Sequence, residues 1–389
     1  MKQLPHLLDL WSMRILITGG AGFIGTHLTR HLLDRGHGVT ILDNFLSQVH
    51  GDRQTPAVDI AAHVRLVVGD VADAPTLSSA LDGVDAIVHL AAETGTGQSM
   101  YEVSRYARTN LQGTALLYDL LAKTPKHNVT KIVVASSRAI YGEGAYHCLH
   151  HGVVYPKSRT SAEKKASLFD PVCPICSEHC ESVPTPESAP LQPSSYYGLT
   201  KQVQEQTVLL FGETLGISSM ALRYQNVYGP GQSLTNPYTG ILAIFSNLAR
   251  TGRQLQIFED GLESRDFVYV DDVVRATACC VLGNFQGSHC VNIGSGARTS
   301  VLEVANGIND FYGGHSKVRV TGEFRDGDIR HGFADLSRVQ SLLHYEPKWG
   351  FDLGLRKFLE WASQSQPEVG AYEQSLVEMK EKGLLHGHR

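Results

Sequence analysis

The chain has 389 residues, 42% hydrophobic and 19% charged, enough for a large buried core or for a cofactor domain with a smaller companion. A formal net charge of −5 excludes a broad nucleic-acid-binding surface. No run approaches the roughly 20 apolar residues of a membrane span, so no membrane partner is expected. Residues 1–12 hold only a short apolar stretch, broken by Pro5, His6 and Asp9 and lacking a small-residue cleavage site. That is no signal peptide, and the chain reads as cytoplasmic.

Apolar runs at Ile15–Thr18, Val39–Leu42, Val64–Val68, Ala86–Leu90 and Lys131–Ala135 alternate with helical patterns. This predicts an α/β fold, a Rossmann-type doubly wound parallel sheet with strands covered on both faces. From 143 to 192 the rhythm stops and Pro, Ser, Cys, His and Lys dominate, which marks an insertion. A loop of that length needs a cross-link to hold a shape in a compact domain. A helix from Tyr196 to about Leu215 and a strand Ser219–Arg223 then resume the first domain, placed at 13–227. From 228 to 365 the pattern is mixed, with a helical Gly240–Thr251, strands at Leu255–Phe258 and Arg265–Val268, and a helix from Asp271. This suits a smaller α/β region covering a substrate. The polar tail at 366–389 reads as a loose helix.

The turn Thr18-Gly-Gly-Ala-Gly-Phe-Ile-Gly25 follows the first strand and opens the amphipathic segment Phe23–Leu33, the setting a dinucleotide fingerprint requires. Gly19 serves the tight turn, Gly22 a close approach to pyrophosphate, and Gly25 helix packing; Phe23 and Ile24 sit at the helix N-terminus that faces the phosphates. Asp43 ends the second strand, followed by Asn44, where a carboxylate accepts from both adenosine ribose hydroxyls and repels a 2′-phosphate, so NAD is the expected cofactor. Asp70, before Val71, ends the third strand; it is expected at the adenine edge, the alternative being a cap for the next helix.

Tyr197 and Lys201 lie four residues apart on one helical face. A phenol with a pKa near 10 becomes a usable base beside an ammonium. Ser137 follows an apolar strand at the carboxyl edge of the sheet, where its hydroxyl can share the substrate proton.

These residues resemble the extended short-chain dehydrogenase/reductases, and within them the nucleotide-sugar epimerases and dehydratases, over roughly Arg14 to Ala362. The resemblance also rests on His89-Leu90-Ala91-Ala92, on Asn110 in Thr-Asn-Leu-Gln-Gly-Thr114, on Leu222-Arg-Tyr-Gln-Asn-Val-Tyr-Gly-Pro230 and on Glu263-Ser-Arg-Asp-Phe-Val-Tyr-Val-Asp-Asp272. It implies that Leu90, Ala91, Ala92 and Asn110 join the cofactor site. It further implies that Asn226 holds the sugar diphosphate, Arg265 a phosphate, Arg325 with Asp328 phosphate and ribose, and Gln256 with Phe258 flank the base. A homodimer formed by pairing helices near 97–121 and 196–215 is also implied. Gln225 departs from the aromatic residue of many relatives, and Gly332, near a position that gates substrate size, suggests a roomy pocket.

Related dehydratases place an Asp-Glu pair after the catalytic hydroxyl, decarboxylating relatives a Glu and 3,5-epimerases a Cys, whereas Ser137 is followed by Arg138-Ala139. This leaves 4-epimerisation through a 4-keto sugar, and the segment Ser136–Tyr146 resembles bacterial 6-deoxyhexose-nucleotide epimerases. A UDP-hexose or UDP-hexuronate is the alternative substrate. A dehydrogenase or dehydratase on the same scaffold, and a non-catalytic NAD-binding protein, are the competing readings; intact Tyr197 and Lys201 count against the last.

Within the insertion, Cys148 with His151 and Cys173 with Cys176 have the tight spacing of a structural Cys3His zinc site, with His150 and Cys180 as substitute ligands. The alternative is a reduced loop whose cysteines merely cluster. Cys279, Cys280 and Cys290 stand in apolar surroundings and read as core residues.

Overall fold

The computed structural model describes residues 12–387 apart from 125, 237, 239, 368 and 369, so residues 1–11, read above as no signal peptide, lie outside the described residues. A seven-stranded parallel sheet forms the centre, in the order Ser288–Ile293, Ser218–Tyr224, Lys131–Ser137, Ala86–His89, Arg14–Thr18, Gly38–Asp43 and Val64–Val68. The inner strands carry buried apolar residues at consecutive positions because successive side chains enter opposite layers. Ile15 and Ile17 pack into one core with Leu28 and Val273, while Leu16 packs into the other with Leu117 and Val208. Strand order reverses between Arg14–Thr18 and Ala86–His89, which opens a crevice outside their carboxyl ends. Among the described residues no helix is long and apolar enough to cross a membrane.

The six strands expected in this sheet are present, and the helix Tyr196–Leu215 spans the residues expected for it. The expected strand Arg265–Val268 is instead two short strands, Ser264–Arg265 and Phe267–Tyr269. They divide at Asp266, whose fully buried carboxylate accepts the backbone N–H groups of Ser295, Gly296 and Ala334. The seventh strand, Ser288–Ile293, lies past the domain boundary drawn at 227 and pairs with Ser219–Tyr224. His289, Cys290 and Asn292 hide it from an apolar-run reading; Asn292 is buried because its amide donates to the carbonyls of Thr185 and Asp335.

The insertion is ordered. Gly152–Val154, Tyr146–Cys148 and Glu181–Ser182 form a three-stranded antiparallel sheet, and a short helix Ser161–Lys165 carries a capping box from Thr160 and Glu163. Strands of two or three residues are too short to display a period of two. The tail forms the helix Ala371–Glu381 and a strand Leu385–His386 that pairs with Phe324–Arg325. Of the three cysteines expected in the core, only Cys280 is fully buried; Cys279 is exposed because neighbouring residues of the helix Val270–Leu282 face different directions, and Cys290, on the edge strand Ser288–Ile293, is half-buried.

Candidate active site

A cavity of about 610 Å3 occupies the crevice, a volume suited to a cofactor or substrate. Its floor is the glycine turn. Gly19 has φ +68°, and a Cβ there would stand 2.9 Å from the Ala91 nitrogen; one on Gly25 would stand 2.5 Å from the Gly19 carbonyl oxygen. Gly19, Gly22, Phe23, Ile24 and Gly25 line the cavity, as do Asp43, Asn44, Val71, Leu90, Ala91 and Ala92. Asp43 is oriented by the N–H groups of Ala21 and Phe45, each at 3.0 Å. His50, not anticipated from the sequence, places Nε2 3.3 Å from Asp43 Oδ1. A backbone cradle that excludes side chains, ending at a carboxylate, fits NAD.

Two expected cofactor residues are not among those lining the cavity. Asp70 does not line the cavity; its Oδ1 accepts from the Ala72 N–H at 2.8 Å, while Asp73 caps the following helix. Asn110 lies in a π-helical turn, Ala107–Gln112, and is also absent from the lining. Its amide is buried, accepting from the Glu93 N–H at 2.8 Å and donating to Thr200 Oγ1 at 2.9 Å, so it ties the end of the Ala91-Ala92 segment to the helix carrying Tyr197.

Tyr197 and Lys201 face the cavity from that helix, opposite Ser137. Ser195 caps its N-terminus by accepting from Gly198, and the helix ends at Gly216 in the left-handed region. Burial raises the Tyr197 phenol pKa, while a hydrogen bond from Ser137 and the charge of Arg138 lower it. Burial pushes the Lys201 ammonium down to about 7, with Glu205 opposing. Lys201 Nζ donates to Gln204, whose amide donates to Thr114 at 2.8 Å. Glu205 fixes the helix to the sheet through a 2.6 Å ion pair with buried Arg223 and a bond from Ser136.

Asn226, Gln256, Phe258, Arg265, Arg325 and Asp328 line the other half of the cavity. Arg325 Nε donates to Asp328 Oδ2 at 2.9 Å, and its guanidinium sits 5.0 Å from the Phe258 ring centre. Arg265 donates to the carbonyls of Ile329 and Arg330. Gln225 is buried and joins the lining. Several lining residues were not assigned from sequence. Burial and the nearby charge of Arg265 lower the Arg138 pKa to about 10, with Glu143 and Asp328 opposing. Glu263 is buried, with its pKa raised by desolvation to about 7 and no partner for Oε2 among the described residues. Tyr372 comes from the tail. Gly332 is not among the lining residues, and a Cβ there would stand 2.9 Å from Ile329 Cδ1 and 3.3 Å from Arg138 Nη1, so its missing side chain leaves room for those two lining residues.

Away from this cavity, Cys148, His151, Cys173 and Cys176 bring their ligand atoms within 4.8 Å of one another. The Cys148 and Cys176 sulfurs are 3.7 Å apart, and His151 Nδ1 lies 3.6 Å from Cys148 Sγ and 3.5 Å from Cys173 Sγ. His150 and Cys180 stand outside this group.

A model of the NAD dependent epimerase/dehydratase family matches residues 15–166 and 173–294. The dTDP-L-rhamnose 4-epimerase of Burkholderia thailandensis is 39% identical over 359 residues, covering 90% of this chain and 95% of the relative. Among solved structures, the UDP-glucose 4-epimerase of Thermotoga maritima with UDP-glucose superposes with a TM-score of 0.72 at 28% identity, covering 90% of this chain and 99% of that one. MoeE5 in complex with UDP-glucuronic acid and NAD is similar to the same degree, with a TM-score of 0.72, 28% identity and the same coverage. The chain belongs to the NAD dependent epimerase/dehydratase family.

Proposed function

We propose that this enzyme is an NAD-dependent nucleotide-sugar 4-epimerase of the cytoplasm, acting on a dTDP-6-deoxyhexose such as dTDP-L-rhamnose. The observation that carries the reading is the grouping of Ser137, Tyr197 and Lys201 in the cavity with Arg138, rather than an acidic pair, beside them. Similarity to the Burkholderia enzyme supports the choice of sugar. Tyr197 takes the proton from the carbon-4 hydroxyl, Ser137 shares it, and the positive charge of Lys201 lowers the cost of the phenolate. NAD, held on the glycine turn with Asp43 at its ribose, supplies hydride transfer at carbon 4 when bound. Arg265, Arg325, Asp328 and Asn226 hold the diphosphate and ribose, which leaves the sugar ring free to turn over as a 4-ketone and accept the proton back from Tyr197. Arg138 favours one second reading, a UDP-hexuronate, because a guanidinium in the sugar pocket pairs with a carboxylate.

Proton NMR of the purified protein with dTDP-L-rhamnose, UDP-glucose or UDP-glucuronate, without added NAD, tests the reading. A new anomeric signal with the dTDP sugar is expected. Conversion of UDP-glucuronate alone would transfer the assignment to the second reading, and an accumulating 4-keto product would refute epimerisation.

We also infer a structural zinc. A tetrahedral zinc with about 2.3 Å bonds to sulfur and about 2.0 Å to nitrogen separates sulfurs by about 3.8 Å and sulfur from nitrogen by about 3.5 Å. The Cys148, His151 and Cys176 spacings agree with this. Four protein ligands leave no open position, so the metal has no part in the hydride chemistry. Elemental analysis is expected to find one zinc per chain, lost in a Cys173→Ser/Cys176→Ser variant. A homodimer is supported by exposed Met100, Val103, Leu199, Val203, Leu210 and Phe211 on the helices named for it; sedimentation equilibrium is expected to give twice the chain mass.

A further inference from the structure

The insertion meets the substrate half of the cavity through buried charge. Arg159 donates from Nε to Glu143 Oε1 at 3.1 Å, from Nη1 to Glu259 Oε2 at 2.7 Å and from Nη2 to the Asp328 carbonyl at 3.1 Å. Lys164 is 1% exposed, donates to the Arg325 carbonyl at 2.7 Å and lies 4.9 Å from the centre of the Phe324 ring. Ser161 donates to Asp326 Oδ1 at 2.7 Å, and Asp170 accepts from Arg330 Nε at 2.8 Å. Side chains from 159–170 therefore grip the turn 325–330 at Arg325, Asp326, Asp328 and Arg330. Four residues of that turn, Arg325, Gly327, Asp328 and Ile329, line the cavity, Arg325 and Asp328 with charged side chains. The strand Leu385–His386 pairs with Phe324–Arg325 at the start of the turn, and His386 Nε2 lies 2.8 Å from Asp326 Oδ2.

Burying an ammonium is unfavourable by several kcal/mol unless it is paired and hydrogen-bonded. Lys164 makes its shortest bond to the backbone of a cavity residue and lies 3.5 Å from Asp326, so its burial is offset where it fixes that backbone. Arg159, Lys164 and Asp170 all lie between His151 and Cys173, and the sulfur and imidazole ligands meet across that interval. Ligation at both ends closes the loop carrying the grip and lowers its conformational freedom.

We propose that the inserted segment is a brace that sets nucleotide affinity, with Lys164 and Arg159 as positioning residues for Arg325 and Asp328 and the Cys/His cluster keeping the brace closed. The proposal rests on the nucleotide-sugar reading above. It predicts that damage to the brace weakens donor binding without releasing NAD or slowing the chemical step. A merely structural insertion would lower stability and all activities together.

Calorimetric titration of dTDP and of UDP into the NAD-loaded protein separates these cases. Wild type binds one of the two. Lys164→Met and Cys173→Ser/Cys176→Ser are each expected to weaken that binding about tenfold, the scale of one lost charge-assisted hydrogen bond, with NAD content unchanged. KM for the donor rises in parallel while kcat stays within about twofold, and Lys164→Arg recovers part of the affinity. Ser161→Ala, which removes only the bond to Asp326, gives a loss of about threefold and serves if Lys164→Met does not fold. Unchanged nucleotide affinity in these folded variants, or loss of NAD in step with the nucleotide, would overturn the brace. Failure of wild type to bind either nucleotide would instead overturn the donor reading and the brace with it.

Discussion

The two halves of the cavity are held by different forces. In the cofactor half, side chains and backbone groups project from the ends of parallel strands four to seven residues long, and their places follow from ladder hydrogen bonds and missing Cβ atoms. In the substrate half, Arg265 and Arg325 end strands of two residues, and the turn after Arg325 is fixed by buried charge brought from distant parts of the chain. Arg330 alone pairs with Asp170, Glu259 and Asp260. A ladder tolerates most side-chain changes, whereas a charge network loses its geometry when one member is removed.

The largest effect is expected where both halves meet the reacting carbon. Tyr197→Phe should lower kcat by about 10²- to 10⁴-fold while NAD remains bound, because the phenol is the proposed proton-transfer group and no part of the glycine turn. Turnover within tenfold of wild type would break the division between binding and chemistry. Next, Arg330→Met should lower unfolding free energy by about 3–5 kcal/mol, since it leaves Glu259 buried with a partner lost. Arg14→Ala, which removes an exposed pair with Asp85 beside the first strand, should change it by less than about 1 kcal/mol. Equal losses in urea titrations would erase the contrast.

A smaller effect tests the cofactor half by pH. His89 is buried between Thr18 Oγ1 at 2.7 Å and Thr114 Oγ1 at 3.0 Å, and burial, with Lys201 adding to it, lowers its pKa to about 3. An unfolded histidine takes up its proton near pH 6.5, so between about 6.5 and 3 the unfolded state binds more protons than the folded one. This stability is present above about pH 6.5 and is lost as pH falls, by up to about 1.4 kcal/mol per unit. Replacing His89 by Asn should flatten the acid limb by that slope; identical limbs would mean that His89 is charged in the fold.

The difference between the halves also governs what could be read from the chain. Gly19, Gly22, Gly25 and Asp43 are legible because a single strand, turn, helix and strand contain their whole geometric reason. Tyr197 and Lys201 are legible because one helix face joins them, and Ser137 because it ends an apolar strand. Asp70 and Asn110 are expected at the cofactor by position; neither lines the cavity, the Ala72 N–H engages one Asp70 carboxylate oxygen, and Glu93 and Thr200 engage the Asn110 amide. Tyr372 joins the site from the tail through tertiary packing that no local spacing reports, whereas Arg138 and Glu263 stand one and two residues from Ser137 and Arg265. The four zinc-ligand candidates were legible from tight spacing, yet the small sheet around them was not, because its strands are only two or three residues long.

In the proposed reaction hydride leaves carbon 4 and returns to the same carbon from a cofactor that stays in the cavity. The most direct test is turnover of dTDP-L-rhamnose carrying deuterium at carbon 4, followed by NMR and mass analysis of the epimer. Full retention of deuterium at carbon 4, with no solvent hydrogen gained at carbon 5 or 6, is the predicted result; loss of the label to solvent, or exchange at carbon 5, would contradict the mechanism.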